Sequence, residues 1–378
     1  MSFDPFEGGP LTNTGVPRSS GPSVIALIAK IVGYVVLLLI GVPLALVFVV
    51  GFISAFSSSE SKSASDIDGN LAAGVAAMQA GDSTKALELF NRVLTEKEAS
   101  PTQRAIAQFR TAECFWKQNR SQHTIPAAEA ALSNNELPAD LRARLLAYRA
   151  EAFAEHKDFA SCLSDVDAVL ASEAADHLTK ALALRARSLV RSIHGETELS
   201  LADGEEAIRF ASDYPDLIAQ IRFNNGVTLQ HSGDLAKAMV EYSAVIESEH
   251  AGTDFLARAR TNRATLLYGE GKAEQALVDL EFAEQLGKTT IRQVILDNLL
   301  ILYSENGDLD RQLEISGKLV EQAGDSETLK ARALLQRGLI LVKAKQADEG
   351  QSMLAEARQL ATAHNMSELI AEIDAAGN

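Results

Sequence analysis

Small and turn-forming residues return along this chain at a near-constant interval of 38, and a chain that repeats itself at such a length has few ways to fold. Taking Gly233 as a marker, steps of 38 in each direction land on Gly81, Asn119, Lys157, Gly195 and Gly271, and the series resumes at Gly307 after 36 and at Lys345 after 38. Seven residues before each marker stand Gly74, Ala112, Ala150, Ser188, Gly226, Ala264, Leu300 and Gly338. Twelve residues after these come Ala86, Thr124, Cys162, Ser200, Ala238, Ala276, Gln312 and Gly350. The stretch Asn225 to Ile246 shows the unit most clearly. Gly226 admits a second helix, Gly233 ends the first, Ala238 is the small residue expected to meet Gly226, and Tyr242 and Val245 turn the second helix's apolar face inward. The expectation is an all-α chain of about eight helix pairs, each unable to bury its apolar face alone and so obliged to stack on its neighbours.

Gly-x-x-Leu at Gly226 to Leu229 followed by Ala-x-x-x-Tyr at Ala238 to Tyr242 resembles the tetratricopeptide repeat. ALELF at Ala86 to Phe90 and YGEGKAEQAL before Val278 are further matches, and the resemblance covers roughly 67–361. It implies a right-handed helix-turn-helix solenoid that is non-catalytic and binds protein or peptide in a groove lined by first helices. The period of 38 departs from the ~34 of the family, which predicts helices longer by about a turn in total. The unit around Gly195 departs too, because Gly204 stands where an apolar side chain is wanted, and a distorted repeat is expected there.

Ahead of the repeats the composition changes. Residues 1–22, with four prolines and four glycines, read as a disordered tail. Residues 23–56 follow, uncharged from Ile31 to Phe56 for 26 positions, about 39 Å of helix against a hydrocarbon core of ~30 Å. That apolar run exceeds the ~7–15 residues of a signal peptide, so a single transmembrane helix is expected. Arg18 and Lys30 before it, against Lys62 after it, place the N-terminus in the cytoplasm and the repeats on the far side. Residues 57–66 form a Ser-rich linker, 67–361 the repeats, and 362–378 a C-terminal capping helix and tail, in which SELIAEIDA begins at a Ser cap.

The formal charge of -16 falls wholly on the repeats, since residues 1–62 hold three acids and three bases. Phosphate contacts need clustered Lys and Arg, so nucleic acid is not expected as a partner. Cys114 and Cys162 come from different units and read as buried small hydrophobes rather than a disulfide. No HExxH, CxxC or GxSxG is present, and Gly269 to Lys272 lacks the first glycine of a phosphate loop, which would fall on Leu266. No enzyme, metal, cofactor or small-molecule substrate is expected.

In the resembled family the residue two before the small position points into the groove. Here those residues include Asn224, Asn262, Asn298 and Gln336, four consecutive amides able to donate to and accept from an extended chain's backbone. The same amides could instead satisfy nearby carbonyls or face water. Phe109 and Trp116, seven apart on one helix face, are candidates for an aromatic docking site, or else for core packing. Arg144, Arg185, Arg222, Arg258 and Arg332 recur near the inner edge of first helices. The function expected is a membrane-anchored scaffold or adaptor holding protein partners in the groove. The alternative is an assembly factor fixed permanently within a larger membrane complex.

Overall fold

The computed structural model describes residues 65–287 and 289–376, and the described residues form seventeen helices and no strand. The expected tail at 1–22, the apolar segment at 23–56 and nearly all of the linker lie outside them. Contacts divide the chain into two compact units that meet between Gln103 and Arg104.

In the first unit, α1 (Ser65–Gln79) pairs with α2 (Ser83–Thr95). A Cβ on Gly74 would stand 2.5 Å from the Phe90 ring, so a glycine is what allows the helices to close over a phenylalanine with no exposure at all.

α3 (Pro101–Lys117) crosses the division. The second unit continues with α4 (Ser121–Leu132), α5 (Ala139–Glu155), α6 (Phe159–Ala171), α7 (His177–Ile193), α8 (Thr197–Phe210), α9 (Pro215–Ser232) and α10 (Leu235–Glu247). There follow α11 (Thr253–Gly269), α12 (Ala273–Gln285), α13 (Arg292–Glu305), α14 (Leu309–Ala323), α15 (Glu327–Lys343), α16 (Ala347–Ala363) and α17 (Ser367–Ala376). First and second helices alternate, and from α5 onward each packs on the next in chain order. α17 lays Leu369 and Ile373 against the last pair.

The turn within every pair is built the same way. Gly81, Asn119, Lys157, Gly195, Gly233, Gly271, Gly307 and Lys345 all have left-handed φ, between 55° and 86°. At Gly233 the N–H donates to the Gln230 carbonyl at 3.2 Å and that of Asp234 to the Leu229 carbonyl at 3.0 Å, the double closure that satisfies a helix's last carbonyls. The same two bonds recur at the other seven turns. At four of them the next residue is an aspartate, and Asp82, Asp158, Asp234 and Asp308 each accept from the N–H three residues on, capping the second helix.

How the two helices meet differs from pair to pair. Gly226 faces the Tyr242 ring rather than Ala238, with a notional Cβ 2.6 Å from Cε1. Gly338 and Gly350 do face one another, each notional Cβ within 3.0 Å of the other's carbonyl oxygen. Ser188 and Ser200 exchange hydroxyl-to-carbonyl bonds at 2.9 Å. The expected distortion near Gly195 is absent. α8 is continuous through Gly204, whose vacant side is filled by the Asn225 amide from α9.

The expected membrane localisation requires correction. No helix among the described residues is long and apolar enough to cross a membrane. The longest, α9, has 18 residues and carries Asp216 and Arg222, and at about 27 Å it falls short of the ~30 Å needed. These helices bury one face against a neighbour and keep charges on the other. The stretch Ile31 to Phe56, on which the assignment rested, lies outside the described residues.

Candidate functional site

Within the second unit, a groove of about 1040 Å³ is lined from α3, α5, α7, α9 and α11. Its floor carries a chain of side-chain bonds from one first helix to the next. Trp116 stacks on Tyr148, with ring centroids 4.1 Å apart, and its indole N–H donates to Glu151 Oε2 at 2.7 Å. Arg185 Nε and Nη2 donate to Glu151 Oε1 at 2.9 and 2.6 Å, and its Nη1 donates to Gln220 Oε1. Farther along, Arg258 donates to Asp254 Oδ2 at 2.8 Å and to Thr290 Oγ1 at 3.0 Å. On the near side Ser121 donates to Glu155. Arg185 with Glu151 and Arg258 with Asp254 are therefore committed to each other, and the charge of these two pairs is neutralised in place.

Several polar groups remain uncommitted among the described residues, among them the charged side chains of Lys117, Lys157 and Asp216. The Asn224 side chain and the Tyr214 hydroxyl take no hydrogen bond among the described residues, and both line the groove. Around them the half-buried Leu178, Leu189 and Phe255 and the exposed Ile193 present apolar surface, whereas Leu182, Leu217 and Phe223 are buried. Such a surface offers apolar contact together with a donor and acceptor that are free to pair.

Away from the groove three ion pairs hold first and second helices together. Arg149 grips Asp165 through Nε and Nη2, both at 2.7 Å, and Arg187 grips Asp203 at 2.9 and 2.8 Å. Arg263 grips Asp279 at 2.7 and 2.8 Å. The aspartates are 5%, 3% and 2% exposed, and Arg191 and Arg260 add a third bond to Asp203 and Asp279. Arginine one before the small position and aspartate fifteen after it is a readable signal that periodicity of small residues alone does not expose.

Burial pushes the Cys162 thiol up to about 12, with Asp165 adding to the effect, and Cys114 is likewise buried. The Tyr148 hydroxyl is also pushed up by burial and then by Glu113. Neither arrangement activates a nucleophile. Among the described residues no group of His, Cys, Asp and Glu could hold a metal ion, and Gly271 lies in a left-handed turn of the helix pair.

No family model matches the chain, and no curated protein matches it. Solved structures do. The apo form of RapI is 14% identical with a TM-score of 0.56, over 79% of this chain and 87% of that one. A signal-transduction ATPase with numerous domains and a tetratricopeptide repeat sensor, from Pyrococcus horikoshii, is 10% identical with a TM-score of 0.54. That match covers 77% of this chain and 47% of the other, so this chain spans about half its length. A Rap protein complexed with competence and sporulation factor is 15% identical with a TM-score of 0.49, over 82% of this chain and 96% of that one. At these identities the likeness is one of fold. The fold is tetratricopeptide-like.

Within this tetratricopeptide-like stack the six residues expected at the site part company. Trp116 and Asn224 line the groove together. Phe109 has no exposure and lies behind Tyr148, ring centroids 6.3 Å apart, so it belongs to the core. Asn262, 6% exposed, donates to the Tyr242 hydroxyl at 3.1 Å. Asn298 is fully buried, and Gln336 donates to Asp297. The amides thus do not form a ladder facing one ligand, because Asn262 and Gln336 bond to neighbouring helices and Asn298 is buried. Of the recurring arginines, Arg144 pairs with Asp176, Arg185 with Glu151, Arg222 with Glu241 and Arg258 with Asp254. These pairs commit the four arginines within the stack.

Proposed function

We propose that this chain is a non-catalytic protein-interaction module whose groove between α3 and α11 holds an extended segment of another protein. The observation that carries the reading is that two ion pairs of the groove floor, Arg185 with Glu151 and Arg258 with Asp254, are satisfied while Asn224 and Tyr214 stay uncommitted beside apolar side chains. An extended chain offers one N–H and one C=O per residue, and a primary amide is the side chain that can pair with both. Leu178, Leu189, Ile193 and Phe255 take the segment's apolar side chains, and the internal pairing of Arg185 with Glu151 and of Arg258 with Asp254 favours uncharged over charged sequence along that part of the floor. The tetratricopeptide-like fold supports the reading through stacked first helices that present one side to a common groove.

Trp116 is the sole tryptophan and lies in that groove, so its emission reports occupancy without a label. The test is selection from a displayed library of random nine-residue peptides, followed by fluorescence titration of the recovered sequences. Uncharged apolar sequences are expected. Their affinity should change little between about 0.05 and 0.5 M salt. It should fall about 3- to 10-fold in Asn224→Ala, the worth of one or two neutral hydrogen bonds. Recovery of charged sequences whose binding salt abolishes, or an Asn224→Ala chain that binds as before, overturns it.

A further inference from the structure

The buried apolar core of the second unit is not continuous. Cluster boundaries fall within α9, α11 and α15, the one in α9 dividing a cluster that runs from Ala105 to Ile221 from one that runs from Phe223 to Leu266. At the boundary in α9 the repeat also departs from its own rule.

The residue sixteen after each small position fills the space between a pair and the following first helix. Along the chain it is Phe90, Ala128, Val166, Gly204, Tyr242, Leu280, Ser316 and Leu354. Only Gly204 brings no side chain. Its vacancy is taken by Asn225, 2% exposed, whose Oδ1 has no hydrogen-bond partner among the described residues. In the pairs on either side the counterparts of Asn225 are Arg187 and Arg263, each locked to an aspartate. Asn225 has no such lock.

Hydroxyls replace hydrocarbon in the same layer. Thr228 Oγ1 donates to Ser192 Oγ at 2.8 Å and approaches Ser200 Oγ at 3.5 Å, and Ser188 meets Ser200 at 3.1 Å. Hydroxyl bonds can be exchanged for bonds to water when a seam opens, whereas a hydrocarbon contact has no such substitute, so this layer resists separation less than its neighbours do. The seam also divides the groove. Trp116, Leu182 and Leu189 lie on its first side and Phe223, Asn224 and Phe255 on its second, with the Arg185 to Gln220 bond spanning the floor between them.

We infer that the junction of α8 with α9 is a hinge, and that opening there changes the separation of the groove's two walls. The hinge itself is independent of what the groove binds. Only its consequence for an occupant rests on the proposed function, so the test is made on the unliganded chain.

Hydrogen exchange of the full chain, read by mass spectrometry and corrected for intrinsic rates, compares two junctions. Amides of Ala202–Ala207 and Ile221–Thr228 flank the seam, and those of Val240–Val245 and Ala259–Leu266 flank the next junction, which Tyr242 fills. Exchange at the seam is expected to be about tenfold faster. Asn225→Leu keeps the shape of the amide, removes its unpaired oxygen, and should bring the seam to within about twofold of the reference. If that variant does not fold, Gly204→Ala with Asn225→Ala, near-neutral in volume, makes the same comparison. Equal exchange at the two junctions overturns the hinge. Fast exchange that neither variant slows overturns it as well, since the softness would then have another source.

Discussion

Gly226→Ala sets two effects of opposite sign against each other. Within a helix, alanine is favoured over glycine by about 1 kcal/mol, so on propensity alone the substitution stabilises. The added Cβ, however, would lie 2.6 Å from Tyr242 Cε1, 2.9 Å from Cδ1 and 3.2 Å from Cζ. Carbon atoms rest at about 3.5–4.0 Å, so the ring must withdraw by roughly an ångström. It has nowhere to go. Tyr242 is fully buried, and its hydroxyl donates to Gln230 Oε1 at 2.7 Å while accepting from Asn262 Nδ2 at 3.1 Å. Overpacking costs about 1–3 kcal/mol, and straining the two hydrogen bonds adds up to about 1 kcal/mol each. Against the propensity gain the expected result is a net loss of about 1–3 kcal/mol. Urea unfolding followed by far-ultraviolet circular dichroism measures it. A double-mutant cycle with Tyr242→Leu isolates the contact, because the smaller aliphatic side chain leaves room for the new methyl and the loss from Gly226→Ala should then shrink or reverse. If Gly226→Ala alone raises stability, the close approach of these helices is not what the glycine is there to permit.

Lys157→Gly and Lys345→Gly should each stabilise by about 0.5 kcal/mol, since relief of a left-handed φ of 61° or 63° outweighs the extra freedom glycine brings to the unfolded chain. Gly233→Ala should cost about 1 kcal/mol at the same place in its own unit, and urea midpoints of the three variants decide the point. Asp279→Ala should lose about 2–4 kcal/mol, because it strands the guanidinium groups of Arg260 and Arg263, which are 14% and 22% exposed. Glu88→Ala, at an open pair with Arg92, should lose less than about 0.5 kcal/mol in the same assay. Asp297 is a carboxylate whose pKa burial raises above the ordinary 3.8, although Gln293, Gln336 and Arg332 pull the other way. A raised folded value means the folded chain holds that proton more tightly, so the contribution is stabilising in acid and is lost as pH rises through the folded value. Asp297→Asn should therefore stabilise at neutral pH, with an advantage that disappears below the ordinary carboxylate range in a series of urea titrations.

The turns were legible in the sequence because they depend on register more than on residue type. Stepping along the repeat from Gly233, by 38 except for the one step of 36 to Gly307, reaches Asn119, Lys157 and Lys345, none of them glycine, and all three take the left-handed φ that the repeat demands. The site was less legible because its position in the repeat does not determine its surroundings. Asn224 and Asn262 stand at equivalent places, yet one faces the groove and the other is buried. The difference lies one unit earlier, in the residue each amide meets. Tyr242 brings a phenol into the path of Asn262 and takes its donor, whereas Gly204, at the place equivalent to Tyr242, brings nothing toward Asn224. The bonds along the groove floor step by 35, 34 and 35 from Trp116 through Glu151 and Arg185 to Gln220, short of the 38 of the backbone repeat. They lean back across each first helix and escape a search conducted at the repeat's own period. The glycine that breaks the apolar pattern at 204 thus accounts both for the soft junction between α8 and α9 and for an amide left free beside it. A Gly204→Tyr chain that kept Asn224 exposed would separate the two effects, and one that buried it would show that a single vacancy produces both.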